Sequence, residues 1–162
     1  MTRGFAALLI AWALGATPVA HADPYEVEPD LAKRDADYAA AKAAIDRRDW
    51  QQAIASLEKT AVREPESADL QNLLGYSYRN LGQYPLAFKH YNEAIRLEPR
   101  HRGAHEYIGE TYLLVGDVEN ARKHLAALKD ICLLGCDELR DLEAAIASYE
   151  SARATTTAPK SK

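Results

Sequence analysis

Residues of the same type recur every 34 positions through the middle of this 162-residue chain. The recurrence is registered at six places along the unit: Pro65 and Pro99; Gly75 and Gly109; Gly82 and Gly116; Tyr78 and Tyr112; Ala53, Ala87 and Ala121; Trp50, Tyr84 and Val118. One coincidence at a given spacing is common, whereas several that share a register indicate a structural repeat. A short repeated unit cannot bury its apolar face alone, so we expect the units to stack around one continuous core.

Each unit carries the local signals of a helix, a turn and a second helix. Gly82 and Gly116 supply the turns, because glycine adopts the backbone conformation that ends a helix, and Pro85 suits the first turn of the next helix. The second helices end before Pro65 and Pro99, because the residue preceding a proline is pushed out of the α region. These signals, with the apolar periodicity, predict helices over residues 31–47, 50–63, 67–81, 84–97, 101–115, 118–131 and 137–152.

Two glycines fall inside predicted helices rather than in turns. Gly75 and Gly109 each cost the helix about 1 kcal/mol relative to alanine. That cost is reasonable where another backbone approaches closely, so we expect tight helix packing at both positions. Ala87 and Ala121, on the facing helices, are small enough to allow it.

The residues of the second unit resemble the tetratricopeptide repeat family. They read Leu74-Gly75-x-x-Tyr78, followed by Gly82, Tyr84, Ala87, Tyr91, Ala94 and Pro99. The third unit is similar, with Ile108-Gly109-x-x-Tyr112, Gly116, Val118, Ala121 and Leu125, but has Leu133 in place of the closing proline. The first unit departs from the pattern with Ala40-Ala41-x-x-Ala44 and returns to it in Trp50, Ala53, Leu57 and Pro65.

This resemblance implies an all-α superhelical solenoid of three helix-turn-helix repeats. The repeats cover about residues 34–67, 68–101 and 102–135, within a domain that spans 31–153. The helix predicted over 137–152 carries an apolar stripe made of Leu139, Leu142, Ala145, Ile146 and Tyr149. It is similar to the capping helix with which such arrays cover their last repeat.

The first 22 residues have the pattern of a secretory signal peptide. Arg3 precedes an apolar stretch from Phe5 to Ala16 that is too short to span a bilayer, and Ala20-His21-Ala22 supplies small residues for cleavage. We therefore expect cleavage after Ala22 and a periplasmic or secreted protein. Residues 23–30 read as an extended lead-in, and residues 154–162 as a disordered tail because they have no apolar face to bury.

The remaining sequence argues against several classes of function. A net charge of −4 disfavours a nucleic-acid binder, and no apolar run is long enough for a membrane span. No motif of a hydrolase, a phosphate-binding loop or a zinc protease is present, so we predict neither an enzyme nor a cofactor. His90 and His124 occupy equivalent repeat positions, and His101 and His105 lie four apart. We interpret these histidines as surface residues and predict no metal site, because no acidic or cysteine partner recurs at ligand spacing.

The two cysteines are the sharpest chemical feature. Cys132 and Cys136 stand at the junction of the third repeat and the capping helix, and an oxidising compartment favours a disulfide between them. A helical spacing of four places their Cα atoms about 6 Å apart, which is within disulfide range. A redox pair or a soft-metal site is the alternative, since thiolates select copper(I).

In tetratricopeptide arrays the first helix of each repeat lines a concave groove that binds a protein or peptide. Carried over to this chain, the groove positions are Tyr38, Lys42, Ile45, Asp69, Asn72, Tyr76, Arg79, Glu106, Glu110 and Leu113. Some members clamp a C-terminal carboxylate with lysine and asparagine, but those positions here hold Tyr38, Lys42, Leu73, Gly103 and Tyr107. The resemblance therefore implies peptide recognition of another kind.

The hypothesis that follows is a non-catalytic protein-protein interaction module of the bacterial cell envelope. The alternative is a periplasmic metal or redox accessory protein that uses Cys132 and Cys136. A self-assembling scaffold also stays open, because the degenerate first repeat could leave apolar residues free to pair between chains.

Overall fold

The computed structural model describes residues 35–157, and these residues form seven α-helices with no strand in that range. In chain order they are α1 Ala36–Asp46, α2 Trp50–Arg63, α3 Ala68–Asn80, α4 Tyr84–Leu97, α5 Arg102–Leu114, α6 Val118–Ile131 and α7 Asp137–Thr157. The five helices from α2 to α6 begin and end within one residue of the predicted bounds. The all-α fold class predicted from the repeat is confirmed.

The predictions for the two ends of the chain fall mostly outside the described residues. These are the signal peptide over 1–22, the lead-in over 23–30 and the last part of the tail over 158–162. Helix α7 continues to Thr157 and so includes the first four residues of the predicted tail. Arg153 Nη1 donates to Tyr149 Oη at 2.8 Å, one helical turn earlier, which supports this extension. No helix between residues 35 and 157 is long and apolar enough to cross a membrane.

Most helices begin at a side chain that accepts a backbone hydrogen bond from the first turn. Four of these capping residues are Asp35, Asp49, Ser67 and Asp117. For α5 the cap is His101, whose Nδ1 accepts from the Ala104 N–H at 3.1 Å. Helix α4 has Pro85 in its first turn and no such cap. Because the first N–H groups of a helix have no partner inside it, these caps set where each helix starts.

The two helical glycines allow a neighbouring side chain to lie against the backbone. A Cβ atom at Gly75 would lie 2.6 Å from the ring of Tyr91 on α4, and one at Gly109 would lie 2.7 Å from a methyl group of Leu142 on α7. Both Tyr91 and Leu142 are fully buried. The predicted close packing is therefore present, but the neighbour is a large side chain rather than another backbone.

The turns inside the repeats share one backbone conformation. Gly82 and Gly116 have φ values of 72° and 84°, in the left-handed region that glycine adopts freely. The equivalent position of the first repeat, 34 residues before Gly82, is Arg48, with a φ of 58°. The first repeat thus makes the same turn without glycine, at a cost of about 1 kcal/mol.

The core runs along the array as apolar clusters between the helix pairs. The cluster of the first repeat includes Tyr38, Leu57, Leu70 and Leu74. At the other end, Leu142 and Ile146 of α7 are buried against α5 and α6, with Leu139, Ala145 and Tyr149 packed around them. The apolar stripe of the last helix therefore covers the third repeat, which is the task of a capping helix.

The first helices of successive repeats lie on the inner side of the array. Helix α3 contacts α5, and α5 contacts α7, whereas in the described range α2, α4 and α6 make no comparable contacts with one another. An array in which one layer of helices is close together and the other is spread apart curves toward the close layer. Helices α1, α3, α5 and α7 thus present a concave surface, which we call the groove.

Candidate partner-binding groove

All ten predicted groove residues lie on α1, α3 and α5, but they differ in exposure. Lys42 and Asp69 are exposed, and the half-buried residues are Ile45, Tyr76, Arg79 and Glu110. The buried ones are Tyr38, Asn72, Glu106 and Leu113, each 7–9% exposed. The structure therefore brings together a smaller set than the sequence predicts, centred on α3 and α5.

Tyr38 belongs to the core rather than to the groove surface. Its ring packs in the cluster that contains Leu57 and Leu70, and it is 8% exposed. The first repeat has alanine at positions 41 and 44, and both are fully buried beside it. Small residues leave room that a larger neighbour fills, which explains how deeply Tyr38 is buried, and its contact with a partner stays a prediction.

Arg79 occupies the middle of the groove, enclosed by aromatic rings and a carboxylate. Its guanidinium carbon lies 5.1 Å from the ring centre of Tyr76 and 5.2 Å from that of Tyr107. The guanidinium also forms an ion pair with Glu110 on α5, and the Arg79 side chain is only 14% exposed. Such packing combines cation–π attraction with a charge-assisted hydrogen bond, so the charge of Arg79 is balanced within the protein.

Aromatic contacts continue from this arginine toward the outer helices. Trp50 at the start of α2 meets Tyr76 edge-on, with ring centres 5.7 Å apart. Tyr107 lies 5.2 Å from Tyr76 and 6.4 Å from the buried Tyr91. The repeat register places these rings on the facing helices, but nothing in the spacing indicates which ring meets which. Trp50, Tyr91 and Tyr107 are the aromatic neighbours that sequence reasoning did not assign to the groove.

The end of the groove near the capping helix is acidic. Glu106 and Glu110 lie one turn apart on α5, and the charges of Glu138 and Asp141 on α7 act on Glu106 as well. Burial of Glu106 raises its pKa to about 7, and the three neighbouring carboxylates add to that rise. Arg79 acts in the opposite direction, but more weakly.

Two of these four carboxylates have a cation beside them. Arg79 pairs with Glu110, and Arg102 Nε lies 3.6 Å from an oxygen of Glu138. Between residues 35 and 154, no side chain donates a hydrogen bond to Glu106 or forms an ion pair with it. Glu106 is therefore a largely buried carboxyl group without a donor.

A cavity of about 550 Å³ opens between α3, α5 and α7 beside this acidic end. Its walls are formed by Arg79, Asn80, Glu110, Leu113, Leu114, Ala145 and Tyr149. Ala145 and Tyr149 come from the capping helix, which sequence reasoning treated only as a cover for the core. Their spacing of four on one helical face is the signal that could have assigned them to the groove.

A histidine and an aspartate lie at the starts of α5 and α3, in a surface pocket that Glu138 also lines. His101 Nε2 lies 3.1 Å from Asp69 Oδ1, and this hydrogen bond lowers the pKa of Asp69, with a smaller contribution from the charge of Lys42. Burial opposes a charge on His101, yet the hydrogen bond and the charge of Asp69 outweigh it and raise the His101 pKa. His101 is 9% exposed, so the interpretation of this residue as a surface histidine is wrong.

The equivalent histidines of the second helices pack on equivalent tyrosines. His90 stacks on Tyr78 with ring centres 5.3 Å apart, and His124 stacks on Tyr112 at 5.7 Å. Both histidines are half-buried. Their recurrence at one repeat position therefore reflects a recurring packing contact, which the sequence interpretation as surface residues did not foresee.

His124 also hydrogen-bonds to a second histidine, His105, which is 6% exposed. Their Nδ1 atoms lie 3.0 Å apart, and His105 Nε2 lies 3.1 Å from the carbonyl oxygen of Pro99. Because a carbonyl only accepts, His105 Nε2 carries a proton, and His124 Nδ1 then donates to His105 Nδ1. Burial lowers the pKa of His124 to about 4, with the nearby His105 and Lys123 charges acting in the same direction.

Cys132 and Cys136 lie at the junction of α6 and α7. Their Cα atoms are 5.7 Å apart and their sulfur atoms are at bonding distance, 2.16 Å. Both residues are 9% exposed and belong to the core cluster beneath the capping helix. The predicted disulfide therefore has the geometry it requires. Within residues 35–154, no three histidine, cysteine or acidic side chains are grouped so that they could hold a metal ion.

The family model named tetratricopeptide repeat matches residues 38–97 and 75–132. Two curated relatives from Arabidopsis thaliana are a TPR repeat-containing thioredoxin, TTL4, and an inactive TPR repeat-containing thioredoxin, TTL3. Each is 28% identical to this chain, over 95 and 98 residues respectively, which is 58% and 60% of the chain. The chain spans only 13% of the length of either relative.

Solved structures with the same fold come from several sources. They include the TPR2B domain of yeast Sti1 in complex with pHsp70 (TM-score 0.67, 18% identity, 75% of this chain and 98% of that one). The Yersinia enterocolitica type III secretion translocator chaperone SycD has a TM-score of 0.65 at 18% identity, and the match covers 82% of this chain and 99% of that one. The Sgt2 TPR domain of Aspergillus fumigatus has a TM-score of 0.67 at 19% identity, and the match covers 80% of this chain and 87% of that one. The motif register, the helix pairs and the family match together show that this chain belongs to the tetratricopeptide repeat family.

Proposed function

We propose that this protein is a non-catalytic interaction module that holds a peptide segment of a partner protein in its groove. The observation that carries the proposal is the open cavity between α3, α5 and α7, which has apolar walls at Leu113, Ala145 and Tyr149 and a charged rim. Apolar side chains beside a few polar groups are typical of peptide-binding surfaces. Two structural neighbours, a TPR domain in complex with pHsp70 and a translocator chaperone, support a role in binding other proteins.

We further propose that the protein acts in the cell envelope. The signal-peptide pattern of residues 1–22 supports export. In that compartment Cys132 and Cys136 would be oxidised, and their burial in the core favours a structural role over redox exchange or metal binding. Sequencing the N-terminus of the protein isolated from its host tests export: cleavage after Ala22 is the expected result, and a mature protein that begins at Met1 contradicts it.

A bulky substitution in the cavity wall tests groove binding. Ala145→Arg places a long side chain in the cavity, and Ala126→Arg places the same side chain on the exposed surface of α6. The probes are peptides selected from a randomised library displayed on phage against the wild-type protein. We expect Ala145→Arg to lower the affinity for the selected peptides about tenfold or more, because it removes the apolar contact area. Ala126→Arg should leave that affinity unchanged.

Circular dichroism at 222 nm and thermal unfolding establish that both variants keep the helical fold. If no peptide is enriched, or if the enriched peptides bind both variants as well as they bind the wild type, the groove proposal is wrong.

A further inference from the structure

We propose that the acidic end of the groove binds a lysine or arginine side chain of the partner, with Glu106 as its counter-ion. The inference rests on the proposed function, because it names the chemistry of a peptide held in that groove. The carboxylates of the proposed site are Glu106 on α5 and Asp141 on the facing helix α7.

Glu106 is a buried acceptor that lacks a donor. It is 8% exposed, and no hydrogen bond or ion pair reaches it from the part of the chain that the structure describes. A buried carboxylate normally has a cation or several N–H groups beside it, because water no longer solvates it. Its carboxyl oxygens keep some contact with solvent, since they are not among the fully enclosed polar atoms without a partner. These oxygens are therefore accessible from solvent.

A second acceptor without a donor lies on the facing helix α3. Asn72 is 7% exposed, and its Oδ1 has no hydrogen-bond partner within the described residues. Its amide nitrogen faces Gly103, which precedes Glu106 by one turn of α5. Asn72 Oδ1 is fully enclosed, so a ligand does not reach it, and the accessible acceptors are the carboxyl oxygens of Glu106. Ammonium and guanidinium groups donate several hydrogen bonds and accept none, so they complement such a carboxylate.

The protein's own cations near this site already have counter-ions. Arg79 is paired with Glu110 and packed between two tyrosine rings, and Arg102 is paired with Glu138. Glu106 and the exposed Asp141 are left without a cation from the described part of the chain. Burial is the main cause of the raised pKa of Glu106, and the surplus of negative over positive charge among its neighbours adds to it. An anionic ligand such as a peptide carboxylate would be repelled here, whereas a cation would relieve the repulsion.

The apolar cavity next to this site adds a second requirement on the partner. Leu113 lies seven residues after Glu106 on α5, which corresponds to about 10 Å along the helix. An extended peptide covers that distance in about three residues. The partner segment should thus carry a basic residue and an apolar residue about three positions apart.

The test uses the full chain and the phage-displayed library of random peptides. We expect lysine or arginine to be enriched at one position of the selected peptides, with an apolar residue about three positions away. Replacement of that arginine by citrulline, or of that lysine by acetyl-lysine, should raise the Kd about tenfold or more, because it removes the charge and keeps the length. The Glu106→Gln variant should bind the basic peptide with a Kd raised by the same factor. Its Kd for the neutral analogue should equal that of the wild type.

Glu119→Gln is the matched control, since it removes one carboxylate from the exposed surface of α6. It should leave both affinities unchanged. Peptides that depend on the groove but show no preference for a basic residue overturn this inference and leave the proposed function standing. Equal binding of the charged and neutral peptides by the wild type overturns it as well. Failure of the library to yield any groove-dependent peptide overturns both.

Discussion

Arg79 on α3 and Glu110 on α5 form an ion pair across the junction of the second and third repeats. Both side chains are mostly buried, so removal of one leaves the other without its counter-ion. We expect Arg79→Met and Glu110→Gln each to lower the free energy of unfolding by about 2 kcal/mol, measured by urea denaturation. The double variant should lose less than the sum of the two single losses, because the second substitution removes a charge that is already unpaired.

The pair between Glu93 and Arg96 on the surface of α4 serves as a control for this cycle. Its partners lie three residues apart and are well exposed, so their coupling should be much smaller. If the losses at Arg79 and Glu110 simply add, the two side chains do not stabilise the repeat junction through each other.

Glu106 should make the folded protein less stable as the pH rises. Its pKa is about 7 in the folded protein, above the ordinary value of 4.5, so the folded state binds its proton more tightly than the unfolded state. The stability associated with this group is complete below about pH 4.5 and is lost as the pH rises to about 7. At pH 8, Glu106→Gln should therefore unfold at a higher urea concentration than the wild type. Its free energy of unfolding should be greater by on the order of 2 kcal/mol.

The difference between Glu106→Gln and the wild type should shrink toward pH 5, where the wild-type carboxyl is protonated as well. Glu119→Gln, on the exposed side of α6, should show no such pH-dependent difference. A Glu106→Gln variant that is less stable than wild type at pH 8 would show that the carboxylate is satisfied in the folded protein, contrary to its surroundings.

The helices and their pairing follow from the sequence because the repeat encodes them locally. Gly82 and Gly116 mark the turns, Pro65 and Pro99 follow the ends of second helices, and the structure agrees at each place. The apolar stripe of the last helix likewise identifies the surface that α7 buries. These features need only the conformational preferences and periodicity of neighbouring residues.

The groove was harder to predict because its contacts join residues far apart in the chain. Glu110 lies 31 residues from Arg79, and no local rule distinguishes it from Glu106 as the partner of that arginine. Tyr38 was placed in the groove by its register, but the alanines of the degenerate first repeat leave a space in the core that its ring occupies. Register predicts which face of a helix a residue is on, whereas the size of its neighbours decides how deeply it is buried.

Arg48 offers a site for stabilising the first repeat. Its φ of 58° is unfavourable for a residue with a Cβ atom, and the equivalent positions of the next two repeats are glycines. Arg48→Gly should raise the free energy of unfolding by up to about 1 kcal/mol, since the relief of strain exceeds the added entropy of the unfolded chain. Gly116→Ala, the reverse change at the third repeat, should lower it by about the same amount. Thermal unfolding followed by circular dichroism measures both, and a destabilised Arg48→Gly variant would contradict the argument.

His124 should weaken the fold at acidic pH. Its pKa falls from 6.5 to about 4 in the folded protein, so the unfolded state takes up the proton first as the pH falls. Stability from this group is complete above about pH 6.5 and is lost as the pH falls toward 4, by on the order of 2 kcal/mol. His124→Gln should show a flatter dependence of unfolding free energy on pH over this window. The difference in unfolding free energy between this variant and the wild type, taken at each pH, reports the contribution of His124 alone. Glu106 and His101, whose raised pKa values change stability in the opposite sense, are present in both proteins.

The bond between Cys132 and Cys136 should stabilise the junction of the array with its cap only modestly. A disulfide that closes so short a loop contributes about 2 kcal/mol in the chain-entropy account, because it restricts few conformations of the unfolded chain. The native, unreduced protein should show no free thiol in a titration under denaturing conditions. The Cys132→Ser, Cys136→Ser double variant should have a free energy of unfolding lower by about 2 kcal/mol, measured by urea denaturation. A reducing agent should destabilise the wild type and leave the double variant unchanged. Two titratable thiols in the unreduced protein would contradict the disulfide between Cys132 and Cys136.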